Sequence, residues 1–191
     1  MNKCTEKIVD YLVQNGTVKD SERSIYEIGI RQLITYLLDI VGILFLGILF
    51  DLMWEAIVLS VLFMLIQRYA GSYHAPSRIL CYVESLLVVL INLYLYRIVT
   101  IPGYIQACTV LFLFCIISLL APVESGNKRL DADEKKIYKE RARKICFGYG
   151  VLWCILFLLG GKDLSKIVLF VSVDVSIFQI LGEVNLKFKK N

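Results

Sequence analysis

Six stretches of the chain, Leu33 to Phe50, Met53 to Tyr69, Ile79 to Tyr96, Tyr104 to Ala121, Ile145 to Gly161 and Leu164 to Gly182, are apolar with few charged side chains. Each runs for about 17 to 19 residues, just enough as an α-helix to cross a hydrocarbon layer of about 30 Å. The pattern predicts an all-α polytopic membrane protein with six transmembrane helices. Only Asp51 and Leu52 separate the first two, so that pair is either a tight hairpin or includes a tilted or partly re-entrant member.

Two polar regions frame these spans. In segment 1–29, Cys4, Ile8, Tyr11 and Leu12 recur at helical spacing with Lys3, Lys7, Asp10 and Gln14 opposite them, the pattern of an amphipathic helix lying in the membrane interface. Asn15 and Gly16 close it, and Ser24 with Glu27 has the capping-box spacing that starts a following helix. This start is too polar for a cleavable signal peptide, which needs a compact apolar core. The second region, 122–144, holds eight basic and five acidic residues between Glu124 and Lys144 and is expected to be a solvated, charged cytoplasmic loop. Neither region marks a second domain, so residues 1–191 are expected to form one membrane domain.

Composition agrees: 58% of the 191 residues are hydrophobic, which excludes an ordinary soluble domain. Charge then orients the chain. With the N-terminus inside, eighteen of the 21 Lys and Arg residues fall on cytoplasmic segments, leaving Arg97, Lys162 and Lys166 outside. That bias predicts both termini in the cytoplasm. Nothing in the charge pattern calls for a nucleic-acid partner; membrane lipids are the expected surroundings.

The turn between the second and third spans carries the most specific chemistry. His74 is the chain's one histidine, and Cys81 follows it by seven residues. On a continuous helix that spacing separates them by roughly 10.5 Å, beyond hydrogen-bond reach. Pro76 argues against a continuous helix and suits a first helical position, and Gly71 and Ser72 loosen the approach. The expected result is a cytoplasmic turn that folds imidazole back onto thiol. A thiol near an imidazole, Arg68 and Arg78 loses its proton more readily and becomes a nucleophile. With Pro76 starting the helix, Cys81 would lie beyond the first turn, where the helix field has faded.

Other chemistries have less support. One histidine cannot supply a two-histidine zinc motif, and the six cysteines lack paired short spacing, so neither a metal nor a cofactor is implied. Cys108, Cys115, Cys146 and Cys154, within the predicted spans, read as small apolar packing residues. Asp39 and Asp174 lie inside predicted spans, where a carboxylate is costly enough to invite a functional reading. They suit either helix–helix hydrogen bonding or a transport pathway, but lack the glycine-flanked setting of an intramembrane aspartyl protease.

The segment Arg68-Tyr69-Ala70-Gly71-Ser72-Tyr73-His74-Ala75, with Cys81 placed as above, resembles the accessory gene regulator B (AgrB) peptidases of Gram-positive quorum sensing. Ala121-Pro122-Val123-Glu124 and Asn127-Lys128, followed by charged residues, match the same family, and the likeness in length and spans covers essentially the whole chain. Many relatives have glycine where Ser72 stands and proline where Arg129 stands.

The resemblance implies a cysteine endopeptidase of the bacterial cell membrane, active on the cytoplasmic side, that cuts the C-terminal part from an AgrD-like propeptide and helps cyclise the remainder. Cys81 would be the nucleophile and His74 the general base. Candidate supporting residues are Glu84, three positions after Cys81, to orient His74, and the backbone amides of Ser77 and Arg78 as oxyanion donors. Arg68 and Arg78 would steer an acidic propeptide tail. The family also implies a homodimer. The competing reading is a small transporter or peptide exporter using Asp39 and Asp174; a scaffold without chemistry ranks last.

Overall fold

The structure is a computed structural model that describes residues 2–71, 73, 77–124 and 130–190. Among the described residues are seven α-helices and no strand: α1 Asn2–Gln14, α2 Arg23–Leu49, α3 Met53–Ala70, α4 Arg78–Ile98, α5 Gly103–Leu120, α6 Ala132–Leu158 and α7 Lys162–Lys190. The protein is an all-α membrane protein. The chain forms two compact units, Met1–Gly42 and Ile43–Asn191, whose boundary falls within α2.

In the first unit, α1 ends as its sequence predicts. Gly16, at φ 68°, donates to the Val13 carbonyl, and Thr17 donates to that of Leu12, closing the last turn. Thr5 and Val9 form the buried edge of α1, while Ile8 and Tyr11 are exposed apolar side chains available to a membrane surface. A short 3-10 turn, Asp20–Glu22, precedes α2, which starts at Arg23 rather than after Ser24. Arg23 pairs with Asp10 and with Glu27, tying α1 to the first turn of α2.

In the second unit, α2 ends in a turn with Asp51 in the left-handed region at φ 54°; Leu52 N–H donates to Gly47 and Asp51 N–H to Ile48. A Cβ on Gly47 would lie 3.0 Å from Met53 Cα, so the end of α2 packs directly on the start of α3. The junction is a tight corner, one of the two alternatives the sequence allowed.

The buried core gathers around α7, which packs against α3, α4, α5 and α6. Every residue from Ser165 to Val171 is buried, as for a helix enclosed on all sides. In α7, 56% of the apolar window is buried inside the protein, against 22% or less in the other spans. Those others turn apolar side chains such as Phe45, Met64, Ile91 and Phe112 outward, where lipid solvates them.

Five helices, α2, α3, α4, α5 and α7, are long and apolar enough to cross a membrane. The sixth predicted span lies in α6 and is less clear-cut. Most of the expected charged loop is helical: α6 starts at Ala132 behind an Asp131 cap that accepts from Glu134 N–H, while the Glu134 side chain accepts from Asp131 N–H. Such a capping box needs no tertiary support, which is why a polar segment can be helical here. Arg141, Arg143 and Lys144 therefore extend into the helix, and the uncharged remainder, Ile145–Leu158, rises only about 21 Å. Its buried face is Ala142, Cys146, Tyr149 and Trp153, and Tyr149 donates to the Leu62 carbonyl of α3 at 2.6 Å. Cys146 is a core residue as expected, but Cys108, Cys115 and Cys154 are exposed on the outside of their helices.

Candidate active site

The α3–α4 connection leaves one helix at Gly71 and enters the next at Ser77. Gly71 N–H donates to the Gln67 carbonyl at the end of α3, and Gly71 takes φ 72°. A Cβ there would sit 2.0 Å from the Val123 carbonyl oxygen, so only glycine fits. The sequence suggested that Gly71 loosens the turn. Instead it permits a tight seam, in which Val123 N–H donates to the Ala70 carbonyl at 2.9 Å.

Two further bonds fasten this connection to α7. The buried side chain of Gln179 donates from Nε2 to the same Ala70 carbonyl at 3.0 Å, and Tyr73 N–H donates to the Phe178 carbonyl at 3.0 Å. The three segments joined here are the end of α3, the Ala121–Glu124 segment and α7. His74, Ser72, Ala75 and Pro76 lie outside the described residues.

The chain is described again from Ser77, in extended conformation as the N-cap of α4, its hydroxyl accepting from Leu80 N–H at 3.2 Å. The helix thus starts at Arg78, two residues after Pro76, because a serine cap outcompetes the proline start expected from sequence. This changes the setting of Cys81. Its N–H makes the first helical bond, to the Ser77 carbonyl at 3.0 Å, so the thiol closes the first turn of α4 instead of lying beyond it. The amides of Arg78 and Ile79, which no helical carbonyl can serve, point out of the same N-terminus. Of the two residues whose amides are expected as oxyanion donors, Arg78 is the first of α4 and Ser77 is its cap.

Cys81 is half-buried and carries no disulfide. Glu84 is half-buried one turn further along the same side of α4 and joins no ion pair among the described residues. Arg68 is exposed and lies over the Tyr69 ring at 5.8 Å; Arg141 of α6 lies over the same ring at 5.3 Å, and Tyr138 meets it edge-on at 5.6 Å. The structure thus brings Arg68 together with the basic half of α6, two features that are 73 positions apart in sequence at Arg141. Part of that basic charge is locally spent. Lys135 pairs with Glu124 at 3.0 Å, and Lys144 pairs with Glu140 at 2.9 Å, holding the Glu140 carboxyl below its ordinary range.

Two polar residues inside spans escaped the sequence reading. Asn92 of α4 donates from Nδ2 to Asp174 of α7 at 2.8 Å, and Gln179 makes the bond described above. The available signal was the presence of amide side chains within apolar spans, where only the aspartates drew notice. Asp174 is thereby a helix–helix hydrogen-bond partner, the ordinary alternative to a transport pathway; Asp39 is half-buried in α2.

The sequence model of the accessory gene regulator B family matches residues 5–181. The chain belongs to the AgrB family. It is 27% identical over 175 residues to the AgrB-like protein 2 of Clostridium perfringens strain 13 (type A), covering 84% of this chain and 80% of that protein. To the AgrB-like protein of C. perfringens strain SM101 (type A) it is 26% identical over 178 residues, covering 85% and 82% respectively. No solved structure matches the chain. Within this AgrB chain, the matched region holds both residues of the predicted pair and the seam of Gly71 with Val123.

Proposed function

We propose that this AgrB protein is a membrane cysteine endopeptidase that processes a short AgrD-like propeptide for quorum sensing. The observation that carries this reading is the break between α3 and α4. It ends α3 at Ala70 and starts α4 at Arg78, which puts Cys81 in the first turn of α4, directly after a connection bonded to α7.

In the proposed reaction, His74 accepts the Cys81 proton as sulfur attacks the scissile carbonyl, and the Arg78 and Ile79 amides receive the developing oxyanion. The peptide C–N bond breaks, and His74 returns the proton to the leaving amine of the C-terminal fragment. The product is a thioester between Cys81 and the N-terminal fragment. A Cys or Ser side chain within that fragment then attacks the thioester carbonyl and displaces Cys81, closing a thiolactone or lactone ring. Holding both ends of one peptide at a membrane edge favours this internal attack over water. Glu84 orients the imidazole from one turn along α4.

The site faces the cytoplasm of the bacterial cell, the side favoured by the positive charge at this end of the bundle. α6 completes six spans, with Arg141, Arg143 and Lys144 extending toward the headgroups from its short apolar half. Arg68 and Arg141, gathered on Tyr69, steer the acidic tail of the propeptide, and the enzyme works as a homodimer.

The test is processing of a co-expressed AgrD-like propeptide, followed by mass spectrometry. Cys81→Ser and His74→Ala are each expected to abolish cleavage while the protein still inserts. Normal cleavage in either variant would overturn the reading, and loss of peptide movement with cleavage intact on changing Asp39 or Asp174 would favour a transporter.

A further inference from the structure

We propose that one stretch of α7, Asp174 to Gln179, sets the spacing of the Cys81–His74 pair, with Asp174 and Gln179 as positioning residues. The proposal rests on the peptidase reading. Each half of the pair is carried by a different piece of chain, and each piece is bonded to this stretch.

The Cys81 half is fixed through α4. Asn92 follows Cys81 by eleven residues, close to three full helical turns, so the two share a face of α4 with Asn92 roughly 16.5 Å deeper. Asn92 is buried, and its Nδ2 donates both to Asp174 Oδ2 at 2.8 Å and to the Val88 carbonyl at 2.8 Å. A rotation of α4 that would swing the thiol away must break the bond to Asp174.

The chain that leads to His74 is fixed at Ala70 and Tyr73, one turn along α7. Phe178 accepts from Tyr73 N–H, the residue just before His74, and Gln179 donates to the carbonyl of Ala70, where α3 ends. Gln179 is fully buried, and its Oε1 has no partner among the described residues, so this amide is held at a cost that a leucine would not incur. The buried serines of the same helix behave differently. Ser172 and Ser176 return their hydroxyls to the Val168 and Ser172 carbonyls and reach no other helix. Asp174 and Gln179 reach outward, to the two segments that carry the pair. A misplacement of about 1 Å between reacting groups costs on the order of a hundredfold in rate, which gives such pins a function beyond helix adhesion.

The experiment measures alkylation of Cys81 by iodoacetamide across pH in the full-length protein in liposomes, read by mass spectrometry of the Cys81 peptide, with His74→Ala as reference. His74→Ala is expected to slow alkylation at neutral pH by about tenfold. Gln179→Met, which keeps the bulk but has no donor, is expected to slow it at least threefold and to move the pH profile toward that of His74→Ala. Asp174→Leu should do the same, and Asp174→Asn, which still accepts from Asn92, should restore most of the wild-type rate. Ser176→Ala should match wild type.

Because Asp174→Leu strands a buried amide, the double variant Asn92→Leu with Asp174→Leu provides a folded alternative, since replacing both partners by apolar groups is close to neutral for stability. It should insert normally and still alkylate slowly. Wild-type profiles in Gln179→Met and the double variant, with His74→Ala shifted, would overturn the positioning role alone. An unshifted His74→Ala would overturn the peptidase reading, and the positioning role with it.

Discussion

The two ends of the helical bundle use polar side chains in different ways. At the end formed by the close of α4 and the starts of α5 and α7, Lys166 is buried and spends its three protons on the Tyr96 carbonyl at 3.1 Å, the Val99 carbonyl at 3.2 Å and Asp163 at 2.9 Å. Beside it Ser165 donates to Gln106 at 2.8 Å, and Gln106 donates to the Ile101 carbonyl at 2.9 Å. This network satisfies helix-end carbonyls and seals the α4–α5 connection. At the other end, a bond donated by Gln179 and one accepted by Phe178 hold the connection that leads to Cys81, the proposed nucleophile, which is half-buried. A network that closes on itself stabilises the fold; one that holds a turn and leaves its chemistry accessible prepares a site.

Substitutions at matching positions would sharpen or break this contrast. The largest effect is expected from Gly71→Ala, where the added methyl meets the Val123 backbone at 2.0 Å with φ at 72°. Backbone cannot rotate aside, so propeptide cleavage per inserted molecule should fall more than tenfold. At the opposite end, Gly103→Ala puts a methyl 2.3 Å from the Phe157 ring edge, which can turn away at a strain of about 1–3 kcal/mol. Thermal unfolding in detergent should reveal that loss, with kcat per folded molecule unchanged. Equal damage to kcat by both changes would mean that the two ends are not functionally distinct.

Lys166→Met should come next. It removes the donor from the part-buried Tyr96 and Val99 carbonyls, at up to about 1–3 kcal/mol each, and should lower the melting temperature without altering the iodoacetamide reactivity of Cys81. Arg141→Gln tests the active-site end by charge alone: KM for a propeptide with an acidic tail should rise a few-fold, with kcat constant and the difference shrinking in high salt. Glu124→Gln should have the smallest effect. Its pair with Lys135 is partly exposed and worth at most about 1 kcal/mol, so only a slight drop in melting temperature is expected.

Much of this could be read from residue order. Apolar runs of spanning length gave the helices, and α3, α4 and α5 start and stop within about two residues of the expected limits, because Gly71, the Ser77 cap and Pro102 interrupt helices by local chemistry. The charge density before α6 predicts a loop, but Asp131 and Glu134 stand at capping-box spacing and start the helix there. The proposal of Cys81 with His74 rests on sequence, where a lone histidine and a thiol flank a helix-breaking segment between spans.

What the sequence alone determined is therefore local and periodic: an all-helical membrane chain, its breaks, and the residues with reactive groups. Which helix lies in the middle could not be read there, because α7 and its neighbours are similarly apolar and lipid and protein interior select for the same side chains. Only the tertiary structure decided that α7 is the central helix, that Gly71 faces the Val123 backbone, and that Asn92 and Gln179 find their partners across 82 and 109 positions of chain. Those contacts depend on how helices pack, and no local pattern encodes the separation they bridge.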